Sequence, residues 1–404
     1  MSRRGTEAVT LSIPWPTTTR GTAKRASADG AVLAVTVVLA LFGLVMVFSA
    51  SAVVAGNRFG DPIYFLKRQM VWMAFGFLLF HLASRLDYTM WRKLALPLVA
   101  GTGLLLILVL IPTVGTMVNG ARRWLSLGPI SVQPAEVAKL GAVFYLASFL
   151  AKGQDRVREL ATGVLPPLII VALLAGLVML QPDLGTVALI GLVTLGLLFL
   201  GGARLTHLIG LMLVTIPVVA ALVLSSEYRR QRVMAFLDPW KDPADTGFQI
   251  TQSFLAFGNG GLLGVGLGQG KQKLFFLPEA HTDFVLALVG EELGLMGAAT
   301  VLLLFGFLVF KGFQIARRAR EPFGRYLAMG LTLLIGLQVL INAGVVTGLL
   351  PTKGLTLPLI SYGGSSLVVS LVAVGILQSI SRDRQGGRQK DLTSRGRGAG
   401  FGVA

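Results

Sequence analysis

Charged residues at the edges of apolar runs are the groups in this chain best placed to do chemistry, because charge is costly there. Asp283 closes the stretch LPEAHTD (277–283), and a long apolar run begins one residue later, in a chain of 404 residues with only 19 acids. A carboxylate so placed can cap a helix or complement its positive end. In a partly dry site it can also take a proton from a reacting hydroxyl, as a general base does. His281 stands two residues before it, where it tunes the acid or faces headgroups. Glu291 and Glu292 lie two turns deeper, a rarer placement that calls for a base from another helix.

Two basic clusters could serve that acid. Residues 119–140 carry Arg122, Arg123, Glu136 and Lys139, and Pro134 suits the first turn of a helix. Glu136 and Lys139 are three apart and share a helix face. They either neutralise each other on entering an apolar layer, or form with Arg123 a cationic site for a lipid-linked phosphate. Residues 349–366 carry Lys353, Ser361, Tyr362, Gly363, Gly364, Ser365 and Ser366. The hydroxyls there can satisfy backbone freed by a helix break, which leaves Lys353 unexplained; a polar patch opening into a cavity accounts for both. Asp183, in QPDLGT, reads as a turn former.

The elements that must position these groups are membrane helices. The chain is 54% hydrophobic and 14% charged, where soluble proteins carry about 25% charge. Its apolar runs approach the ~20 residues that cross a bilayer. The net charge of +17 falls in short loops and tails between those runs, as orientation of membrane helices requires, and this argues against nucleic acid as a partner. With no cysteine, disulfides, thiolate chemistry and Cys-based metal sites are excluded.

The fold class expected is an all-α polytopic membrane protein. Ten spans are read near 31–55, 69–84, 94–113, 134–151, 162–180, 184–201, 205–224, 284–310, 326–349 and 358–380. With both termini inside, 23 of the 36 Lys and Arg residues fall on inner segments, as the positive-inside rule asks. The domains are a polar tail 1–29, expected to be disordered and followed by an uncleaved signal-anchor, a membrane domain 30–382, and a disordered tail 383–404. The outer loop 225–283, between helices 7 and 8, is long enough to suggest function. Within it QITQSFLAF (249–257) reads as an amphipathic segment on the membrane surface. The run GNGGLLGVGLGQG (258–270) carries seven glycines. It lacks the strand-before, helix-after setting of a phosphate loop and reads as close backbone packing.

These segments resemble the SEDS family (shape, elongation, division and sporulation) over about 30–382. The resemblance rests on NAGVVTGLLPTKGLTLPLISYGGSS (342–366), NGARRWLSLGPISVQPAEVAKL, QPDLGT, DPWKDPADTGFQITQS and LPEAHTDFVLALVGEELG. The last two blocks and the long N-terminal tail are closer to the family's division branch than to its elongation branch. The resemblance implies a glycosyltransferase that polymerises lipid II, a disaccharide-pentapeptide on undecaprenyl pyrophosphate, outside the cytoplasmic membrane at the division septum. It implies a class B penicillin-binding protein as transpeptidase partner, among other membrane proteins of the division machinery. It places the family's essential acid at Asp283, with Arg123, Glu136, Lys139, Lys353 and Ser361 lining a polar outer cavity. A divalent cation, Mg or Mn, could hold the pyrophosphate, although no ligand set is legible. The rivals are a lipid II flippase and a non-catalytic division scaffold. Gathering of the charged groups at one side, away from the midplane where transporters bind, favours the enzyme.

Overall fold

A computed structural model describes residues 29–398 apart from 119, 129, 154, 155 and 275. The tail read over 1–29 therefore lies outside the described residues, save Asp29, whose carboxylate accepts from the Ala31 amide and caps the first helix.

The chain runs α1 (Gly30–Phe59), α2 (Tyr64–Arg85), α3 (Thr89–Leu110), then β1 (Gly115–Val118), β2 (Ala121–Leu127) and β3 (Ile130–Val132). There follow α4 (Pro134–Lys152), α5 (Leu165–Met179), α6 (Leu184–Leu200), α7 (Leu205–Leu224), α8 (Glu227–Leu237) and α9 (Phe248–Gly260). Three long helices close it: α10 (Val285–Arg317), α11 (Pro322–Val346) and α12 (Gly364–Gly398).

Among the described residues, 8 helices are long and apolar enough to cross a membrane, and the chain is an all-α polytopic membrane protein in that sense. The other two expected spans are helices as well. α6 is apolar but has only 17 residues, and Lys67, Arg68, Gln69 and His81 make α2 too polar to qualify by composition. The segment 383–398, read as part of a disordered tail, continues α12; residues 399–404 lie outside the described ones.

The interior is built from α4, α11 and α12, packed against α3, α6, α10 and α2. By contrast, α7 buries only Leu208. The loop 114–133 folds into an antiparallel sheet ordered β1-β2-β3, which the helical reading did not foresee. Gly120 and Gly128 turn its hairpins at φ 76 and 65, and an Asn-Gly pair between alternating residues is a strong hairpin signal.

The glycine run finds its role in a break of α10. Gly294 sits at φ 68, ψ −169, a region open only to glycine. The carbonyls freed at Glu291 and Glu292 accept from the Val265 and Gly266 amides at 3.0 and 3.0 Å. Beyond the break, the Leu295 and Met296 amides donate to the Gly261 and Leu262 carbonyls at 2.9 and 3.2 Å. Backbone opened within an apolar layer must be satisfied by protein, and side chains at Gly260 or Gly264 would collide with the Gly290 and Glu292 carbonyls. Close backbone packing is what the run provides. α9 covers the expected amphipathic segment and packs on α10 and α11, with Ser253 Oγ donating to the Val346 carbonyl at 2.6 Å.

Candidate functional site at one end of the bundle

Five separate segments converge at one end of the helices. β2 brings Arg123, the α5–α6 turn brings Asp183, α8 brings Arg232, and the loop into α10 brings Glu279, His281 and Asp283. The stretch between α11 and α12 brings Lys353 and Ser361.

Asp283 does not cap α10. The N-cap is Phe284 and makes no side-chain cap bond, so the capping role open in the sequence is not the one adopted. Its backbone is held instead. Its amide donates to the Glu279 carbonyl at 3.2 Å, and its carbonyl accepts from Asn342 Nδ2 at 2.8 Å. The same Asn342 nitrogen donates to the Leu355 carbonyl at 2.7 Å. One amide thereby ties the acid to the lysine-bearing stretch. Burial pushes the Asp283 carboxyl from 3.8 up to about 7, helped by the charge of Glu279 and opposed by Arg232; Asp183 and Arg123 act more weakly, in opposite senses. Burial lowers His281, whose ring packs 4.8 Å from that of Phe65.

The cations are held by neutral groups. Arg123 donates from Nε to the Gln181 carbonyl at 2.8 Å and from Nη2 to that of Pro182 at 2.7 Å, pinning the sheet to the α5–α6 turn. Arg232 donates from Nη1 to the Thr352 carbonyl at 3.2 Å. Burial lowers Lys353, while Asp183 raises it. Asp183 itself caps α6, accepting from the Thr186 amide at 3.0 Å and its hydroxyl at 2.9 Å, as its turn-forming reading anticipated. The β1–β2 register shifts between Thr116 and Met117, which leaves Arg123 as the extra residue of a β-bulge, a device that re-aims a side chain beside a site.

A buried layer supports this surface. Lys139, 1% exposed, pairs with Glu136 at 2.7 Å and donates to Gln338 Oε1 at 2.9 Å. Gln338 Nε2 donates to the Thr356 carbonyl at 2.9 Å, and the Thr356 hydroxyl donates to Ser366 Oγ at 2.8 Å. Ser361, also buried, accepts from the Leu357 amide at 2.9 Å, and Gln69 of α2 donates to the Ser361 carbonyl at 3.2 Å. The structure thus brings Arg123, Lys353 and Asp283 together and sets Glu136, Lys139 and Ser361 beneath them.

Sequence reasoning passed over Arg232, Glu279, Gln338 and Asn342. The last two were detectable, being polar and four apart on one face of an apolar helix. Glu291 and Glu292 do not reach the site. Glu291 accepts from the Lys271 and Gln272 amides, and Glu292 pairs with Lys273 at 2.7 Å and accepts from Ser49. The partner base comes from the loop, not from another helix. These two acids clamp the loop onto α10 and α1.

The bundle and its one-ended charged site define a multi-pass membrane protein with a polar centre at the helix termini. The chain belongs to the FtsW/RodA/SpoVE family of cell cycle proteins, which it matches over residues 30–386. The probable peptidoglycan glycosyltransferase FtsW of Geobacter metallireducens is 49% identical over 358 residues, 89% of this chain and 96% of that protein. Stage V sporulation protein E of Bacillus subtilis is 44% identical over 361 residues, 89% and 99% of the two chains. Among solved structures, the rod shape determining protein RodA of Thermus thermophilus is similar with a TM-score of 0.66 at 32% identity, covering 88% of this chain and 97% of its own. A chain from a peptidoglycan synthase complex that coordinates polymerization and crosslinking has a TM-score of 0.73 at 32% identity, covering 88% and 98%.

Proposed function

We propose that this protein polymerises lipid II into glycan strands at the outer face of the cytoplasmic membrane during septal wall synthesis. That it is a glycosyltransferase follows from its kinship. The reading of ten spans with both termini inside puts the Asp283 end outside, where the polar headgroup of the substrate lies.

The observation that carries the mechanism is the placing of Asp283 within reach of the charges of Arg232 and Arg123 and against the backbone of Gly354, the residue after Lys353. In the proposed step, Asp283 takes the proton from the 4-hydroxyl of the acceptor sugar. The freed oxygen bonds to the anomeric carbon of the donor with inversion, and the bond to undecaprenyl pyrophosphate breaks. A base poised near the working pH contributes typically about 10²–10⁴-fold. Arg123 and Lys353 face the negative charge that develops on the leaving pyrophosphate. Glu136, Lys139 and Ser361 complete the substrate site from below by fixing the 353–366 stretch. Among the described residues no three carboxylate or imidazole groups gather as a metal cage. A divalent Mg or Mn ion, if used, would be held by the substrate pyrophosphate with one or two carboxylates, as Mg commonly is.

The partner proposed is a class B penicillin-binding protein that crosslinks the strands. Reconstitution with that partner and labelled lipid II tests the reading. Wild type should form polymer and a folded Asp283→Asn variant none. Polymerisation that survives the substitution removes the base assignment. Transfer of the headgroup across the bilayer without polymer would make the protein a flippase.

A further inference from the structure

At the end of the bundle opposite Asp283, α3, α4 and the start of α11 line an open cavity of about 750 Å³. The helices themselves fix its distance from the candidate active site. α3 rises from here toward the sheet that carries Arg123, α4 begins at the far end near Glu136, and α11 ends there just before Lys353.

Arg92 and Lys93 enter the cavity from the start of α3, and Lys152 from the last turn of α4. All three are exposed, none of their side chains has a hydrogen bond or ion pair with another described residue, and α3 has no acid in its first turn. Against them stands a single acid, Glu321, at the N-cap of α11, where it makes no capping bond. Tyr145 and Ser148 line the same space, Ser148 being 7% exposed. Apart from Thr89, the remaining wall is apolar. Leu96 is 63% exposed on the lipid side of α3, and Phe149 lines the cavity from α4.

Three exposed cations gathered beside a largely apolar wall match one ligand chemistry, a phosphodiester joined to hydrocarbon. We propose that this cavity binds an anionic glycerophospholipid of the inner leaflet, with the phosphate between Arg92, Lys93 and Lys152 and the acyl chain along Leu96 and Phe149. Its volume is that of a small-molecule site, about 300–1,000 Å³. Basic pockets between membrane helices on the cytoplasmic side recognise anionic headgroups in this way. The excess of positive charge selects against zwitterionic lipid, and Glu321 with Ser148 can meet the hydroxyls of a glycerol headgroup. A free phosphate ion would leave the apolar wall unused. The site depends on the chain crossing the membrane and is independent of the glycosyl-transfer reading.

The test uses the purified full-length protein. Native mass spectrometry would compare retention of dioleoyl phosphatidylglycerol with that of dioleoyl phosphatidylcholine, for wild type and for Arg92→Gln/Lys93→Gln/Lys152→Gln. Each cation near an anionic surface contributes about a factor of five, so the triple variant should lose roughly a hundredfold in phosphatidylglycerol affinity with an unchanged melting temperature. The single variants should each lose about fivefold, which keeps the proposal testable if the triple variant folds poorly, and the exchange Lys93→Arg/Lys152→Arg should retain binding. Equal retention by wild type and the variants, or equal retention of phosphatidylcholine, overturns the proposal. So does binding of soluble glycerol phosphate to the delipidated protein as tightly as phosphatidylglycerol, because the site would then be one for free phosphate.

Discussion

The carboxylate of Asp283 lies against the bare backbone of Gly354: a Cβ on that glycine would stand 3.1 Å from Oδ2. The neighbour of the catalytic lysine candidate is thus a glycine because the acid occupies the space where its side chain would be. Gly354→Ala should displace the carboxylate by a few tenths of an ångström. Since a misplacement of 1 Å can cost about 10²-fold, polymerisation of lipid II should fall about tenfold, with the melting temperature nearly unchanged. Rates and melts on the same preparation check both halves.

The raised carboxyl of Asp283 fixes the sign of a pH dependence. A general base works when ionised, so turnover should climb as pH rises through about 7. Glu279→Gln removes a charge that raises the group and should move the midpoint lower; Arg232→Gln removes one that lowers it and should move the midpoint higher. A pH–rate profile of each variant reads the shifts. The stability sign is opposite to that of activity. The folded state holds this proton more tightly than the unfolded chain, so the contribution to stability is fully present below about 3.8 and is lost as pH rises through about 7. At pH 8 Asp283→Asn should therefore melt at or above wild type while making no polymer.

What the sequence could and could not reveal divides along physical lines. Helix positions follow from apolar runs, which is why even α2 and α6 stand where spans were expected. Asp283, Arg123 and Lys353 were visible because charge beside hydrocarbon is rare, and composition alone marks it. The sheet was hidden because a helical reading treated 114–133 as a connection, although Asn119-Gly120 signalled a hairpin. The depth of Lys139 was also hidden: a residue three from an acid can pair at a surface or in a core. Only packing against Gln338 decides that. Arg232 and Glu279 belong to the long loop, where sequence spacing carries no information about distance to Asp283.

Lys139 and Glu136 form a buried pair, and removing one member strands the other. Lys139→Met should cost about 3–5 kcal/mol of stability. The double change Lys139→Met/Glu136→Leu should recover much of that loss, because the uncompensated charge is gone. Thermal unfolding of the two singles and the double closes the cycle. Additive losses would mean the pair is not coupled as its 2.7 Å contact indicates.

The break in α10 demands glycine at 294 on two counts. Its φ of 68 with ψ −169 is closed to other residues, and a Cβ would strike the Gly264 amide and the Leu262 carbonyl. Gly294→Ala should destabilise by about 1–3 kcal/mol from backbone strain alone and by more from the collision. Melting of the purified variant checks the loss. Hydrogen exchange should rise at 261–266, whose amides and carbonyls pair with the broken helix; exchange confined to other segments would contradict this account of the glycine run.

Lys353 and Arg123 should separate by the kinetic constant they change. Arg123 spends two donors on the Gln181 and Pro182 carbonyls, so Arg123→Gln loosens the turn that carries Asp183 as well as removing a charge. The Lys353 ammonium has no hydrogen bond or ion pair with another described residue, and burial already disfavours its charged form. Such an ammonium is best satisfied when negative charge arrives. If that charge is the developing pyrophosphate, Lys353→Met should lower kcat and kcat/KM together by about 10²–10³-fold and leave stability equal or improved, since a half-buried charge is removed. A rise in KM at constant kcat would instead assign Lys353 to holding substrate in its ground state. Measured in reconstituted membranes with labelled lipid II, the split distinguishes a cation that assists bond breaking from one that only anchors the lipid.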